Sequence, residues 1–435
     1  MKVCTTLYST CHHFYKSNLL QISEKQEFLS QNGLRNYCIF HSRKPMIVIN
    51  PVVTVRASSS SPSPSLGASS DYSGAQLKKK QSSVAGIDQD DLLDPRHLAD
   101  PDSYFCEFKG VHIHYKVCEA ESSMSKEQEV SKHDALSRRT GFPMIFLHGF
   151  GASTFSWHRV MKPFAQITGS KVLAFDRPAF GLTSRVHHSV SSDSKDDTKP
   201  LNPYSIAFSV LATLYFIDFL KSEKAVLVGH SAGSVTAVET YFEAPNRVAA
   251  LILVAPAIIA PLSAPKSENK KNLPQENQVQ ESNCASDRHP NILVRMIIDK
   301  FGVAAVKNAW YDASQVTDHI LQGYTKPLRT KNWDRALLEY TVAMLTGSEA
   351  KLKPPLEKRL QKITCPVLII TGDSDRLVPS WNSERLSRAI PGSQLETIKN
   401  CGHLPHEEKP DEFISVVANF LHRVLSGSEE LCMRA

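Results

Sequence analysis

Residues 226–239 read VLVGHSAGSVTAVE. An apolar, β-branched run ends on Gly-His-Ser-Ala-Gly and continues into residues that suit a helix. Packing alone does not call for small and polar residues between two well-patterned elements. Gly229-His230-Ser231-Ala232-Gly233 has the form G-x-S-x-G, placed after a strand and before a helix, which is the context this motif requires. In that setting a sharp turn lifts the Ser231 hydroxyl above a sheet, and bulkier neighbours would collide with the backbone.

A serine hydroxyl is a poor nucleophile at neutral pH. It needs a base to take its proton and a third group to orient the base. The chain supplies candidates in the order Ser, acid, His: Asp375 in GDSDRLVP (372–379) and His403 in NCGHLPHE (400–407), each beyond the end of an expected strand. Asp373 competes for the acid role and His406 for the base role. The oxyanion of an acyl-transfer intermediate needs backbone donors. These are assigned to the N–H of Ala232 and, from the loop HGFGAS (148–153), to that of Phe150, with His148 and Gly149 in the same loop.

Working outward, YFCEFKGVHIHYKVCE from residue 104 reads as a β-hairpin turning at Lys109-Gly110. PMIFLHG (143–149), KVLAFD (171–176), AVLVGHS (225–231), ALILVAPA (250–257) and CPVLIITGD (365–373) are short continuous apolar runs, as expected of strands covered on both faces. Residues 202–221 and 410–426 carry apolar positions at helical spacing, with Pro203 near the start of the first. Strands alternating with helices predict an α/β fold with a mostly parallel sheet. The predicted core is 104–257 with 349–426, interrupted by a helical lid at 258–348 whose segment 263–290 is polar and lacks aromatics. His230, Trp310, Tyr311, Tyr324 and Met344 are candidates for a substrate pocket, and Trp157 is read as structural.

Of the 435 residues, 41% are hydrophobic, and the net charge is +6. That charge is concentrated: residues 1–57 hold seven of the 50 Lys and Arg but only two of the 44 Asp and Glu. The remainder is close to neutral, so no nucleic-acid footprint is expected. The basic, Ser-rich N-terminus predicts a chloroplast transit peptide over 1–57, followed by a linker and extension at 58–103; 427–435 forms a tail. The longest apolar run, 248–262, contains Pro256 and Pro261 and falls short of the roughly 20 residues that span a bilayer. Nine cysteines form no C-x-x-C pair, so neither a metal site nor a disulfide framework is expected.

HGFGASTFSW, FDRPAFGLTSR, VGHSAGS, TGDSDRLVP and CGHLPHEEKPDEF occur in the order found in the α/β-hydrolase superfamily, which the chain resembles from about 104 to 426. The resemblance implies Ser231 as nucleophile, Asp375 as acid and His403 as base. It also implies no cofactor and a small hydrophobic ester as substrate; nothing in the sequence demands more than a monomer, and the composition of residues 1–57 predicts a chloroplast location. Ala179 departs from the glycine that many relatives carry after DRP. Relatives that open epoxides or remove halides have Asp at the elbow, so Ser231 argues against both. An acyltransferase, a C–C bond hydrolase and a ligand receptor with slow turnover remain alternatives within the superfamily.

Overall fold

A computed structural model of the chain describes residues 83–120, 141–186, 201–259, 290–346 and 354–425. The expected transit peptide, residues 263–289 of the polar segment and the tail lie outside the described residues. Two short strands, β1 (Ser83–Val84) and β2 (Ile87–Asp88), make a hairpin of their own. An eight-stranded sheet comprises β3 (Tyr104–Phe108), β4 (Val111–Cys118), β5 (Met144–Leu147), β6 (Val172–Phe175), β7 (Ala225–His230), β8 (Val248–Val254), β9 (Val367–Gly372) and β10 (Gln394–Ile398). Their spatial order is β10-β9-β8-β7-β5-β6-β4-β3. β3 and β4 pair antiparallel, β4 joins β6 antiparallel, and the other pairs are parallel.

The apolar runs are continuous because successive side chains alternate between two cores. Ile145, Leu147, Leu227, Leu251 and Leu253 enter one face. It is covered by α2 (Ile206–Phe219) and α3 (Ala232–Glu243), which contribute Phe208, Phe216 and Ala237. Met144, Phe146, Val226, Val228, Ile252 and Val254 enter the other face. There they meet Phe164 of α1 (Met161–Thr168) and the carboxy-terminal helix Pro410–Leu425. That helix buries Phe413, Val417, Phe420 and Leu421, the i, i+4, i+7, i+8 stripe of its sequence. The first of the expected helices begins at Ile206 instead of 202, because the Ser205 hydroxyl accepts from the Phe208 N–H at 3.1 Å and takes the N-cap.

Between β8 and β9 the chain leaves the sheet and forms α4 (Pro290–Ala309), α5 (Asp318–Thr325), α6 (Trp333–Thr346) and α7 (Leu356–Arg359). α8 (Ser380–Ala389), α9 (Pro405–Glu408) and α10 (Pro410–Leu425) complete the core. Residues 83–103, within the expected linker and extension, strap onto the inserted helices. Trp333 Nε1 donates to Gln89 at 2.9 Å, Leu93 exchanges backbone bonds with Arg329 and Lys331, and Leu98 is buried. A short polar stretch carries no periodicity, so its partners were invisible in sequence.

β5 sits between β6 and β7, so the chain order reverses there, and it is beyond the carboxyl ends of the strands at such a switch point that open α/β sheets place their sites. Both G-x-S-x-G and the HGFGAS loop emerge at that point. The fully buried Phe413 tests the core beneath it: Phe413→Ala should cost about 3–5 kcal/mol in urea unfolding. A loss below about 1 kcal/mol would mean that α10 is not part of the cooperative core.

Candidate active site

Ser231 lies at the turn from β7 into α3 with φ 50° and ψ −118°, a conformation that costs a non-glycine residue on the order of 1–3 kcal/mol. Its backbone is held on both sides. The N–H donates to Val254 O at 2.9 Å, and the carbonyl accepts from Ser234 at 3.0 Å and Ala257 at 3.2 Å. The flanking glycines are steric necessities: a Cβ at 233 would lie 2.1 Å from Leu147 O, and one at 229 would lie 2.6 Å from Ser234 Cα. The oxyanion loop comes equally close, since a Cβ on Gly149 would lie 2.9 Å from His230 Nδ1 and 3.2 Å from Ser231 Cβ.

His403 and Asp375 are both buried, and the His403 Nδ1–H donates to Asp375 Oδ2 at 2.7 Å. The other carboxylate oxygen accepts from the N–H groups of Leu377 at 2.8 Å and Val378 at 2.9 Å. Asp375 is thereby fixed, and through it the orientation of the His403 ring. Asp373 is exposed and bonds Ser374 and Cys401, so the structure pairs His403 with Asp375 and not with Asp373. The His403 loop is anchored by Glu408, whose carboxylate accepts from Gly402 at 3.0 Å and Leu404 at 3.1 Å. His230, adjacent to Ser231, packs its ring 4.8 Å from that of His403 and donates Nε2–H to the His403 carbonyl at 3.0 Å. The elbow and the His403–Asp375 pair therefore occupy one site.

Helix α3 starts at Ala232, and its N-cap residue Ser231 makes no side-chain capping bond. The N–H groups of Ala232 and Phe150 donate to no acceptor among the described residues, so both remain available to an oxyanion. Beside them His148 is fully buried, donates Nδ1–H to Gly149 O at 2.8 Å and accepts from the Arg177 N–H at 3.0 Å. Burial and the nearby Arg177 charge push its pKa down to about 3, so it is neutral and structural.

The proposed pocket residues mostly do other work. Trp310 is buried among Ala309, Val316, Ile320 and Leu404, and Tyr324 donates its hydroxyl to Glu407 Oε1 in the interior. His230 is buried behind the elbow and held neutral, its pKa driven well below the ordinary value by burial and by His406 and His403. Tyr311 and Met344 are exposed, and Tyr311 lines a surface depression with Asp312, Gln315 and Lys409. Trp310 and Tyr324 thus pack where the insertion meets the Leu404–Glu407 segment, while Tyr311 and Met344 face solvent. Trp157 is fully buried, as expected.

The role of Asp176 escaped the sequence reading. Asp176, at the end of β6, accepts from Thr154 N at 2.6 Å, Leu182 N at 2.7 Å and His114 Nδ1 at 2.6 Å, tying the oxyanion loop to the next crossover. Burial works against its charge, but His114 and these donors hold its carboxyl far below the usual range. Ala179 stands at φ 77°, which explains why glycine suits this position in relatives.

Behind the site, Glu407 is fully buried against Tyr324, and its neighbour His406 stacks 4.2 Å from Trp157 and 4.7 Å from His230. Burial raises the Glu407 pKa from 4.5 to about 8, opposed by the Tyr324 hydrogen bond and by Arg159. The folded protein then keeps a proton that the unfolded chain releases, so this contribution is complete below pH 4.5 and declines as pH rises toward about 8. Glu407→Gln should therefore flatten the fall in unfolding free energy between pH 5 and 8. Parallel wild-type and variant profiles would show that Glu407 ionises normally.

Across residues 144–416 the chain matches the model of the alpha/beta hydrolase family. It is 28% identical over 284 residues to the 2-hydroxy-6-oxononadienedioate/2-hydroxy-6-oxononatrienedioate hydrolase of Burkholderia vietnamiensis, covering 64% of this chain and 87% of that one. An uncharacterised hydrolase of Bacillus subtilis, YugF, is 24% identical over 279 residues, covering 64% of this chain and 89% of the relative. Among solved structures, the meta-cleavage product hydrolase CumD of Pseudomonas fluorescens superposes with a TM-score of 0.51 at 21% identity, covering 74% of this chain and 97% of CumD. Cfl2 of Burkholderia cenocepacia gives 0.52 at 18%, covering 74% and 98%. At this level of identity the two structures speak for the fold alone, and the matched span for the family: the chain belongs to the alpha/beta hydrolases.

Proposed function

We propose that the protein is a serine hydrolase that cleaves a hydrophobic carboxylic ester through an acyl-enzyme. The observation that carries this reading is the buried 2.7 Å bond from His403 Nδ1 to Asp375, set beside the strained Ser231 elbow. Ser231 Oγ attacks the ester carbonyl while His403 Nε2 takes its proton. The oxyanion is held by the N–H groups of Phe150 and Ala232. His403 then protonates the departing alkoxide, and water enters by the same route in reverse to release the acid. Helices α4 to α6 serve as a lid over this site, and the basic residues 1–57 direct the chain to a chloroplast.

The aromatic rings of Phe150, Phe180 and Tyr340, clustered beside the oxyanion loop, support an apolar substrate. A second reading has its own support: the 28% identical Burkholderia relative is named a 2-hydroxy-6-oxononadienedioate hydrolase, which cleaves a carbon–carbon bond next to a carbonyl. The same machinery serves either chemistry.

Labelling with a fluorophosphonate, alongside turnover of p-nitrophenyl esters and of 2-hydroxy-6-oxononadienedioate, separates these readings. Ser231→Ala should abolish labelling and turnover at unchanged thermal stability. Turnover near wild type in that variant would remove Ser231 as nucleophile. Asp375→Asn should lower kcat by about 10⁴-fold, whereas Asp373→Asn should leave it near wild type. Faster turnover of the dienedioate than of every ester tested would transfer the assignment to C–C cleavage.

A further inference from the structure

Arg177 follows Asp176 directly after β6 and is 2% exposed. It forms no ion pair among the described residues, and its Nε has no hydrogen-bond partner there. A buried cation without a carboxylate is costly, and an apolar side chain would fill the same space without that cost. What the guanidinium does is reach the oxyanion loop. Its Nη2 donates to His148 O at 2.9 Å, while the backbone N–H of the same residue donates to His148 Nε2 at 3.0 Å. One residue thus grips the carbonyl and the side chain of His148, two positions before Phe150.

The other end of the guanidinium faces the inserted helices. Nη1 lies 3.4 Å from the Tyr340 hydroxyl of α6, and the cation sits 5.5 Å from the ring centre of Phe180 and 5.9 Å from that of Tyr340. Phe150 closes the group, with its ring 5.5 Å from Phe180 and 6.1 Å from Tyr340. Helix α6 therefore touches both the residue whose N–H is the second oxyanion donor and the arginine that holds the strand-side end of that loop.

We propose that Arg177 is a positioning residue that fixes the oxyanion loop through His148, and that Tyr340 makes this fixation depend on the seating of helix α6. The proposal rests on the reading of Phe150 N–H as an oxyanion donor. Misplacing a donor weakens transition-state binding more than substrate binding, so the effect belongs in kcat.

The test uses the full chain with Arg177→Met, Arg177→Lys and Tyr340→Leu, read by p-nitrophenyl butyrate kinetics and by amide hydrogen exchange at Ala152 and Thr154, the loop amides bonded to Gly149 O and Asp176 Oδ1. Arg177→Met should lower kcat by about 10²-fold with KM changed by less than about threefold, the size of a lost oxyanion donor. Arg177→Lys should recover about tenfold of this, because an ammonium still reaches the His148 carbonyl but lacks the fork. Tyr340→Leu should lower kcat in the same sense, and its effect should not add to that of Arg177→Met. In each variant, exchange at Ala152 and Thr154 should quicken relative to wild type.

A rise in KM at constant kcat, a loss confined to carboxylate-bearing substrates, or a fall in thermal stability with kcat unchanged would overturn the proposal. If Arg177→Met does not fold, Arg177→Lys and Tyr340→Leu carry the same comparison. If the wild type turns over no ester and takes no fluorophosphonate, the hydrolase reading fails by itself. Exchange at Ala152 and Thr154 then decides the positioning role: quicker exchange in Arg177→Lys sustains it, and unchanged exchange sinks it.

Discussion

The close approach of three backbones at the carboxyl ends of β5 and β7 governs the rest of the molecule. With Gly233 against Leu147 O, Gly229 against Ser234 and Gly149 against His230 and Ser231, there is no space for a single methyl group at any of the three positions. Only this proximity lets α3 begin directly beneath the oxyanion loop. It also keeps Ser231 at φ 50°, since the hydrogen bonds from Ser231 N to Val254 O and from Ala257 N to Ser231 O over-determine the turn. The strain is local, and the sheet that over-determines it is among the most thoroughly buried parts of the chain.

A second constraint is electrostatic. Around the site lie His148, His230, His403 and His406, of which His148, His230 and His406 are kept neutral by burial. Neutrality suits their contacts: His230 and His148 each use one nitrogen as a donor to a carbonyl, fixing backbone that carries the catalytic groups. Asp375 is instead satisfied by two backbone donors and an imidazole, which fix its carboxyl group where it orients the base. The contrast between buried neutral rings and one buried carboxyl group with every acceptor paired separates structural from reactive groups in a crowded interior.

The inserted helices are joined to this centre more intimately than a cover would require. Ala309 O accepts from His403 N at 2.7 Å, Gly323 lies against the Phe155 ring, Tyr324 bonds Glu407, and Tyr340 meets Phe150, Phe180 and Arg177. Both the base and the oxyanion loop thus have one neighbour in the sheet and one in the insertion. The identity of the insertion's side chains reaches the chemistry through these contacts as well as through the shape of any pocket.

The sequence by itself determined the α/β architecture, the elbow and the order of Ser231, Asp375 and His403, because these depend on local period, on turn residues and on motif spacing. The parallel strands were legible as apolar runs since both faces are buried. Other choices needed the tertiary structure. Motif spacing named Asp375 over Asp373, but the meeting of its carboxyl group with His403, and the turning of Asp373 to solvent, are decided by the packing of the β9 and β10 loops. Trp310 and Tyr324 share the helical spacing of pocket residues, yet burial against Leu404 and Glu407 removes them from that role. Arg177, Asp176 and Glu407 gave no sequence signal as interior charges, because a charged residue reads as exposed until the elements that bury it and supply its partners are brought together in three dimensions.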